Sequence, residues 1–194
     1  LEKFGVNTIR TSNKHKNATT RVAESINNID CSHVILLNGD EPLLLPKYLD
    51  KLYENIIKQP LIKAWNLTAP ITKFQEFTDE SIVKCKLDKN NIISLYRSIN
   101  LKNTLSKNKH RKVLGILAFR KDFLKVLVNL KETTNEIKYS IEQFRVIDYK
   151  FKLRSVNVSK TLPSINEKKD LKVVKDQLLK NATQKKLLKI ILNS

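Results

Sequence analysis

Apolar residues fall along the chain in short blocks whose spacing switches between the repeat of a strand and that of a helix. Val34-Ile35-Leu36-Leu37 is a continuous apolar run that passes straight into Asn38-Gly39-Asp40-Glu41-Pro42. A run of that length bounded by turn residues predicts a strand over 33–37 buried on both faces, as in a parallel sheet. Upstream, weak alternation predicts a strand over 6–11 and a polar loop over 11–18. Val22, Ala23 and Ile26 then fall at helical spacing, which predicts a helix over 20–27 capped by Thr19 or Asn17. Pro46 sits where a helix favours Pro, at its first position, and Leu49, Leu52, Tyr53, Ile56 and Ile57 form the apolar stripe behind it.

The pattern continues with a strand over 66–71, a loop or short helix over 74–77, and two alternating segments, 81–87 and 92–96. Asp88-Lys89-Asn90-Asn91 between them predicts a hairpin. Residues 100–111 read as a polar, basic, mobile loop, 112–119 as a strand and 121–130 as a helix. Residues 132–135 read as a loop and 136–148 as one helix carrying Ile137, Ile141, Phe144, Val146 and Ile147. A strand over 151–158 follows, then helices over 167–179, capped by Asn166, and 184–192. Strands alternating with helices, plus one hairpin, predict an α/β fold with a mixed, mostly parallel sheet. No repeat or linker divides the chain, so one domain is expected over 1–194, ending in a basic helical segment over 182–194.

Composition changes this picture in three respects. The chain has 194 residues and is 41% hydrophobic, which suits a single domain with a substantial core. The formal net charge is +18. The excess is Lys rather than Arg, spread along the chain with few aromatics interleaved, so a Lys-rich surface fits better than a nucleic-acid interface. Such a field would also gather anionic substrates. No apolar run approaches the ~20 residues of a membrane span and nothing resembles a signal peptide, so a cytoplasmic protein without membrane insertion is expected. Cys31 and Cys85, far apart, suggest small core residues rather than a disulfide or metal knuckle.

The chain lacks Met and opens on Leu1-Glu2-Lys3-Phe4-Gly5, the pattern of a helix end with Gly5 after it, so it is read as incomplete at its N-terminus. Its three glycines are Gly5, Gly39 and Gly115. Gly115 lies inside the apolar run Val113-Leu114-Gly115-Ile116-Leu117, where a Gly signals close approach to the strand backbone. Gly39 precedes Asp40 and reads as a close-approach residue in its turn. Asp40 itself has two local readings: ligand of a hard divalent cation carrying phosphates, or part of a solvated turn. Neither G-x-G-x-x-G nor a P-loop is present in these residues, which argues against the usual dinucleotide and Walker-type sites.

Five stretches in order resemble one family, the cytidylyltransferases that activate 3-deoxy-manno-octulosonate (KDO). Thr11 with His15-Lys16-Asn17-Ala18-Thr19-Thr20-Arg21-Val22-Ala23-Glu24 resembles that family's T-x-x-x-H-x-x-G-T-[DE]-R-[IL]-A-E. Asn38-Gly39-Asp40-Glu41-Pro42 resembles Q-G-D-E-P, and Leu114-Gly115-Ile116 with Phe119-Arg120 resembles L-G-I-Y-x-Y-R. Glu136 with Ile141-Glu142-Gln143-Phe144-Arg145 resembles L-E-x-x-E-x-L-E-Q-L-R, and Ile165-Asn166-Glu167-Lys168-Lys169-Asp170-Leu171 resembles V-D-T-P-E-D-L.

The resemblance implies a three-layer, Rossmann-like nucleotide-diphospho-sugar transferase fold with a hairpin insertion. It implies transfer of CMP from CTP to a sugar acid with loss of pyrophosphate, dependent on Mg²⁺, for lipopolysaccharide or capsule precursors, by a possible homodimer. By the same resemblance Asp40 is a catalytic metal ligand, partnered by Asn166; Thr19, Arg21 and Asn38 lie at the nucleotide; and Glu142 and Gln143, on one helix, hydrogen-bond the sugar. Arg145 is left as structural and Glu136 as a surface residue. Several positions depart from the family. Ala18 replaces a Gly, Val113 replaces a His facing the sugar, Asn166 replaces a metal-binding Asp, and Arg97-Ser98 stands for Ser-Arg. The family's opening strand and its Arg- and Lys-bearing phosphate loop have no counterpart, so the chain as given is not expected to catalyse alone. Two alternatives stay open: activation of another sugar acid, such as 8-amino-KDO or a nonulosonic acid, and a degenerate nucleotide-binding relative.

Overall fold

The fold is set by two apolar faces of a single sheet. A computed structural model describes residues 5–99, 110–161, 163–165 and 167–193. The strands are β1 (His33–Leu37), β2 (Ala64–Pro70), β3 (Lys84–Asp88), β4 (Asn91–Tyr96), β5 (His110–Arg120) and β6 (Leu153–Asn157), in the order β1-β5-β2-β6-β4-β3. The helices are α1 (Ala18–Ser25), α2 (Pro46–Lys58), α3 (Lys121–Asn129), α4 (Thr134–Tyr139), α5 (Phe144–Asp148), α6 (Asp170–Lys180) and α7 (Ala182–Leu192). In β5 the period of two sends Leu117 and Phe119 to one face, where they meet Ala23 of α1, Leu124 and Leu127 of α3 and Val146 of α5. Ile116 and Ala118 go to the other, against Leu52 and Ile56 of α2, with Leu187 of α7 partly buried there. The result is the expected three layers, helix on sheet on helix.

The sheet is mixed, but less parallel than the strand–helix alternation predicts. Only β2 and β6 hydrogen-bond in parallel among the described strands; the remaining pairings are antiparallel. The crossover through α2 does make β1 and β2 point the same way. Alternation fixes that direction, not adjacency, and β5 runs between them antiparallel to both. For the same reason β1 is not buried on both faces. It lies at the edge of the described sheet, with Leu36 buried and Ile35 and Leu37 exposed. The hairpin of β3 and β4 forms as expected and joins the main sheet through β5 and β6.

Other differences are local. Residues 6–11 form no strand; no described strand pairs with them, and Val6 and Ile9 are exposed. Asn17 is the cap of α1, accepting from the Thr20 N–H at 2.9 Å. Tyr53 and Ile57 fall on the solvent side of α2, whose buried residues are Tyr48, Leu52 and Ile56. Cys85 is buried as expected, whereas Cys31 is half-buried. α6 starts at Asp170, whose carboxylate accepts from the Glu167 N–H at 2.8 Å, and its cap position is Lys169; Asn166 and residues 100–109 of the basic loop lie outside the described residues, while His110 and Arg111 belong to β5.

The most consequential difference is the helix expected over 136–148. It is broken into α4 and α5 by Ser140, which adopts the left-handed conformation at φ 51° and ψ 50°. Arg97 stabilises the break from outside the helix, donating to the carbonyls of Tyr139 at 2.8 Å and Ser140 at 2.9 Å. These acceptors are freed when the helix ends. Tyr139 and Phe144 stack across the turn at 5.4 Å. Ile137 is left exposed, while Ile141 is buried. No helix of the described residues is long and apolar enough to cross a membrane.

Candidate active site

The turn after β1 is built on the backbone of β5. The Asn38 N–H donates to the Gly115 carbonyl at 2.9 Å, and the Gly115 N–H donates to Glu41 Oε1 at 3.2 Å. The C=O and N–H of one glycine residue thus hold the two ends of Asn38-Gly39-Asp40-Glu41. The close approach expected at Gly115 is real: a Cβ there would lie 2.8 Å from Asn38 Nδ2 and 3.0 Å from Asn38 Cβ. Gly39 is different. Nothing among the described residues lies within 4 Å of an added Cβ, so packing among them does not require glycine at that position.

These facts set a paired prediction. Gly115→Ala is expected to cost about 1–3 kcal/mol through overpacking against Asn38. Gly39→Ala should be neutral or stabilise by up to about 1 kcal/mol. Urea unfolding of the two variants checks both values, and equal effects would contradict the assignment of the close contact to Gly115.

Asp40 Oδ1 is buried and has no hydrogen-bond partner among the described residues. The main chain of Asp40 is fixed, since its carbonyl accepts the Ile165 N–H at 2.8 Å. A carboxylate oxygen held without a donor suits a metal ion better than a solvated turn. The described residues contain no group of three or more His, Cys, Asp or Glu placed to hold a metal.

The facing wall is the turn between α4 and α5. Glu142 and Gln143 lie in this turn rather than on one continuous helix, and the break at Ser140 aims them at the sheet. Glu142 Oε2 accepts the Thr19 N–H at 3.4 Å, and Gln143 Nε2 donates to Asn66 Oδ1 at 3.2 Å. Asn38, Asp40, Glu41, Gly115, Glu142 and Gln143 line one open cleft of about 1550 Å³. Glu136 and Arg145 frame it. Glu136 is buried, not a surface residue, and it takes Arg145 in a two-point pair, Nε to Oε2 at 2.8 Å and the terminal nitrogen to Oε1 at 2.5 Å.

Among the described residues that line this cleft, carboxylates outnumber lysines ten to five. Of those lysines, Lys112 is paired with Glu76, Lys16 with Glu132 at 3.0 Å and Lys169 with Glu167 at 2.7 Å. Of the residues expected at the nucleotide, only Asn38 reaches the cleft lining. Thr19 sits behind it, in a water-sized hollow of about 10 Å³ shared with Glu142 and Gln143. Arg21 is exposed and binds the loop before α1, through Thr11 Oγ1 at 2.5 Å and the Ser12 carbonyl at 3.2 Å. Sequence reasoning did not single out Asn66 or the anchoring role of Glu41. An Asn inside the apolar run Ala64-Trp65-Asn66-Leu67 was the available signal for the first, since a buried amide has to be paired.

Burial raises the pKa of Glu142 above its ordinary value of 4.5, against the Thr19 hydrogen bond that lowers it. Burial raises Glu41 too, helped by the charge of Asp40 and opposed by the Gly115 N–H. A carboxyl whose folded pKa is raised holds its proton longer in the native state than in the unfolded one. Its contribution to stability is therefore present below pH 4.5 and is lost as pH rises through the folded pKa. Glu142→Gln removes that loss. Its unfolding free energy is expected to gain on wild type at pH 7 relative to pH 4, while turnover falls. Denaturant titrations at the two pH values test this, and an equal difference at both would contradict it.

The chain belongs to the cytidylyltransferase family, whose model matches residues 1–182. The 3-deoxy-manno-octulosonate cytidylyltransferase of Syntrophus aciditrophicus is 27% identical over 191 residues, covering 94% of this chain and 76% of that protein. The enzyme of the same name from Chlorobium phaeobacteroides is 29% identical over 188 residues, covering 94% and 75%. A solved structure of CMP:2-keto-3-deoxy-manno-octonic acid synthetase complexed with CTP superimposes with a TM-score of 0.84 at 27% identity, over 92% of this chain and 74% of that one. The inositol-1-phosphate CTP transferase of T. maritima, at 12% identity and a TM-score of 0.54, shares the fold. The fold is thus that of the nucleotide-diphospho-sugar transferases, with a mixed sheet.

Proposed function

We propose that the protein transfers CMP from CTP to 3-deoxy-manno-octulosonate and releases pyrophosphate, supplying lipopolysaccharide or capsule precursors in the cytoplasm, with a homodimer as its assembly. The observation that carries this reading is the convergence of Asn38 and Asp40 on one wall of a cleft with Glu142 and Gln143 on the other, in a chain of the cytidylyltransferase family. In the reaction the anomeric hydroxyl oxygen bonds to the α-phosphorus, the bond from that phosphorus to the bridging oxygen of the β-phosphate breaks, and the hydroxyl proton leaves to solvent. Both partners are anions, so the site must hold them in line while their charges are offset.

Asp40, with its unpartnered buried oxygen, would hold Mg²⁺, joined by Asn166. When bound, the ion offsets charge on the phosphate oxygens. Asn38 contacts the nucleotide from the turn that Gly115 fixes. Glu142 and Gln143 orient the sugar acid through its hydroxyls. Thr19 and Arg21 support from behind, through the Thr19 N–H on Glu142 and the Arg21 clamp on the loop before α1.

A second reading within the same chemistry rests on Val113. It lines the cleft beside Ile82, Val83 and Leu114, so this wall is apolar and can select a different sugar acid. Turnover of the full-length protein on KDO, 8-amino-KDO and nonulosonic acids separates the two: KDO should lead the panel, and a clear preference for another acid would replace it. A non-catalytic relative would show CTP binding that Mg²⁺ does not tighten, whereas metal-dependent tightening is expected.

A further inference from the structure

β5 carries two extra residues opposite β2, because Asn66 pairs with Leu117 while Thr68 pairs with Val113. A bulge of this kind leaves strand carbonyls without ladder partners. Asn66, 0% exposed, takes them: its Nδ2 donates to the carbonyls of Leu114 at 2.8 Å, Ile116 at 3.0 Å and Leu67 at 3.1 Å. Between those two β5 carbonyls lies Gly115, whose own N–H and carbonyl hold Glu41 and Asn38. The other end of the same amide, Asn66 Oδ1, accepts Gln143 Nε2 at 3.2 Å.

We infer that Asn66 is a positioning residue that sets the two walls of the cleft relative to each other. Three carbonyls around one end of its amide leave only one orientation, with nitrogen toward β5 and oxygen toward the turn between α4 and α5. That orientation fixes Gln143 as the donor, so the nitrogen of its amide faces the sheet and its carbonyl oxygen is offered to a hydroxyl of the sugar acid. The same nitrogen sets the shape of the bulge, and hence the Gly115 peptide that carries the nucleotide-side turn. One buried side chain therefore couples the sugar end of the cleft to the nucleotide end. A core amide with a purely structural role would bond within the sheet alone.

The inference rests on the cytidylyltransferase reading, and two kinds of measurement keep their failures apart. In full-length protein, Asn66→Ser is expected to raise KM for CTP and for the sugar acid, each about tenfold, with kcat changed far less. In a Gln143→Leu background its effect on the sugar-acid KM should largely vanish while its effect on the CTP KM persists. Additive effects on both KM values, or a fall in kcat alone, would overturn the inference. Independently of turnover, amide exchange at Asn38 and Gly115 should accelerate in Asn66→Ser, and the side-chain amide resonances of Gln143 should move; unchanged signals would overturn it as well. Should Asn66→Ser fail to fold, Gln143→Leu still reports, since the Asn66 side-chain resonances are expected to shift in it, and their constancy would be a refutation. A wild-type protein without turnover would count against the enzymatic reading, and these resonance and exchange tests would still decide the role of Asn66.

Discussion

Asp40→Ala is expected to lower turnover by about 10³-fold while leaving the protein folded. The size follows from the role: a metal-bound charge stabilises the transition state by several kcal/mol, and each 1.36 kcal/mol is about a factor of ten. The stability half of the expectation is equally specific. Asp40 Oδ1 has no partner among the described residues, and the backbone bonds that hold the turn, Asn38 to Gly115 and Ile165 to Asp40, use main-chain atoms that Ala also has. Unfolding free energy should therefore stay within about 0.5 kcal/mol of wild type, or rise, because a buried carboxylate oxygen without a donor is removed. CTP binding in the variant should no longer tighten with Mg²⁺. Retained turnover, or collapse of the fold, would return Asp40 to the role of a turn residue.

The second large effect is on stability. Glu136→Ala is expected to cost about 3–5 kcal/mol, because it leaves the Arg145 guanidinium buried without its main partner. Both side chains are only 7% exposed, and Glu132 stands farther off, at 3.9 Å. The same glutamate closes the capping box of α4, with Thr133, so the helix loses its start as well. In a chain of this length the midpoint of thermal unfolding should fall on the order of 10 °C. Arg145→Ala should do similar damage, and the pair Glu136→Leu with Arg145→Met should recover most of it, since a well-packed apolar pair carries no buried charge. Calorimetry of the single and double variants decides; a midpoint unmoved in Glu136→Ala would mean that the pair does not hold the turn between α4 and α5.

The parts legible in the sequence are those governed by local pattern. β1, α2, the β3–β4 hairpin and α7 follow from apolar spacing and turn residues, and the glycine inside the β5 run announced a close approach, which the structure shows is made by Asn38. What the pattern could not carry was long-range. The antiparallel insertion of β5 between β1 and β2 depends on which edge a strand joins, and periodicity is silent on that. The break at Ser140 depends on Arg97, 43 residues away, supplying donors for the freed carbonyl. Local helical spacing across Ile137, Ile141 and Phe144 therefore predicted one helix where tertiary bonds make two. The site shows the same division. Asp40, Asn38, Glu142 and Gln143 were singled out by their motifs and line one cleft, while Asn66, inferred to tie its two walls together, belongs to no motif and is visible only through its hydrogen bonds.

The claim that this cleft joins CMP to KDO is tested most directly by following phosphorus resonances of CTP incubated with KDO, Mg²⁺ and the full-length protein. The expected result is loss of the three CTP signals with equimolar appearance of pyrophosphate and a single phosphodiester, dependent on both KDO and Mg²⁺. A CTP spectrum that stays unchanged under those conditions would contradict it.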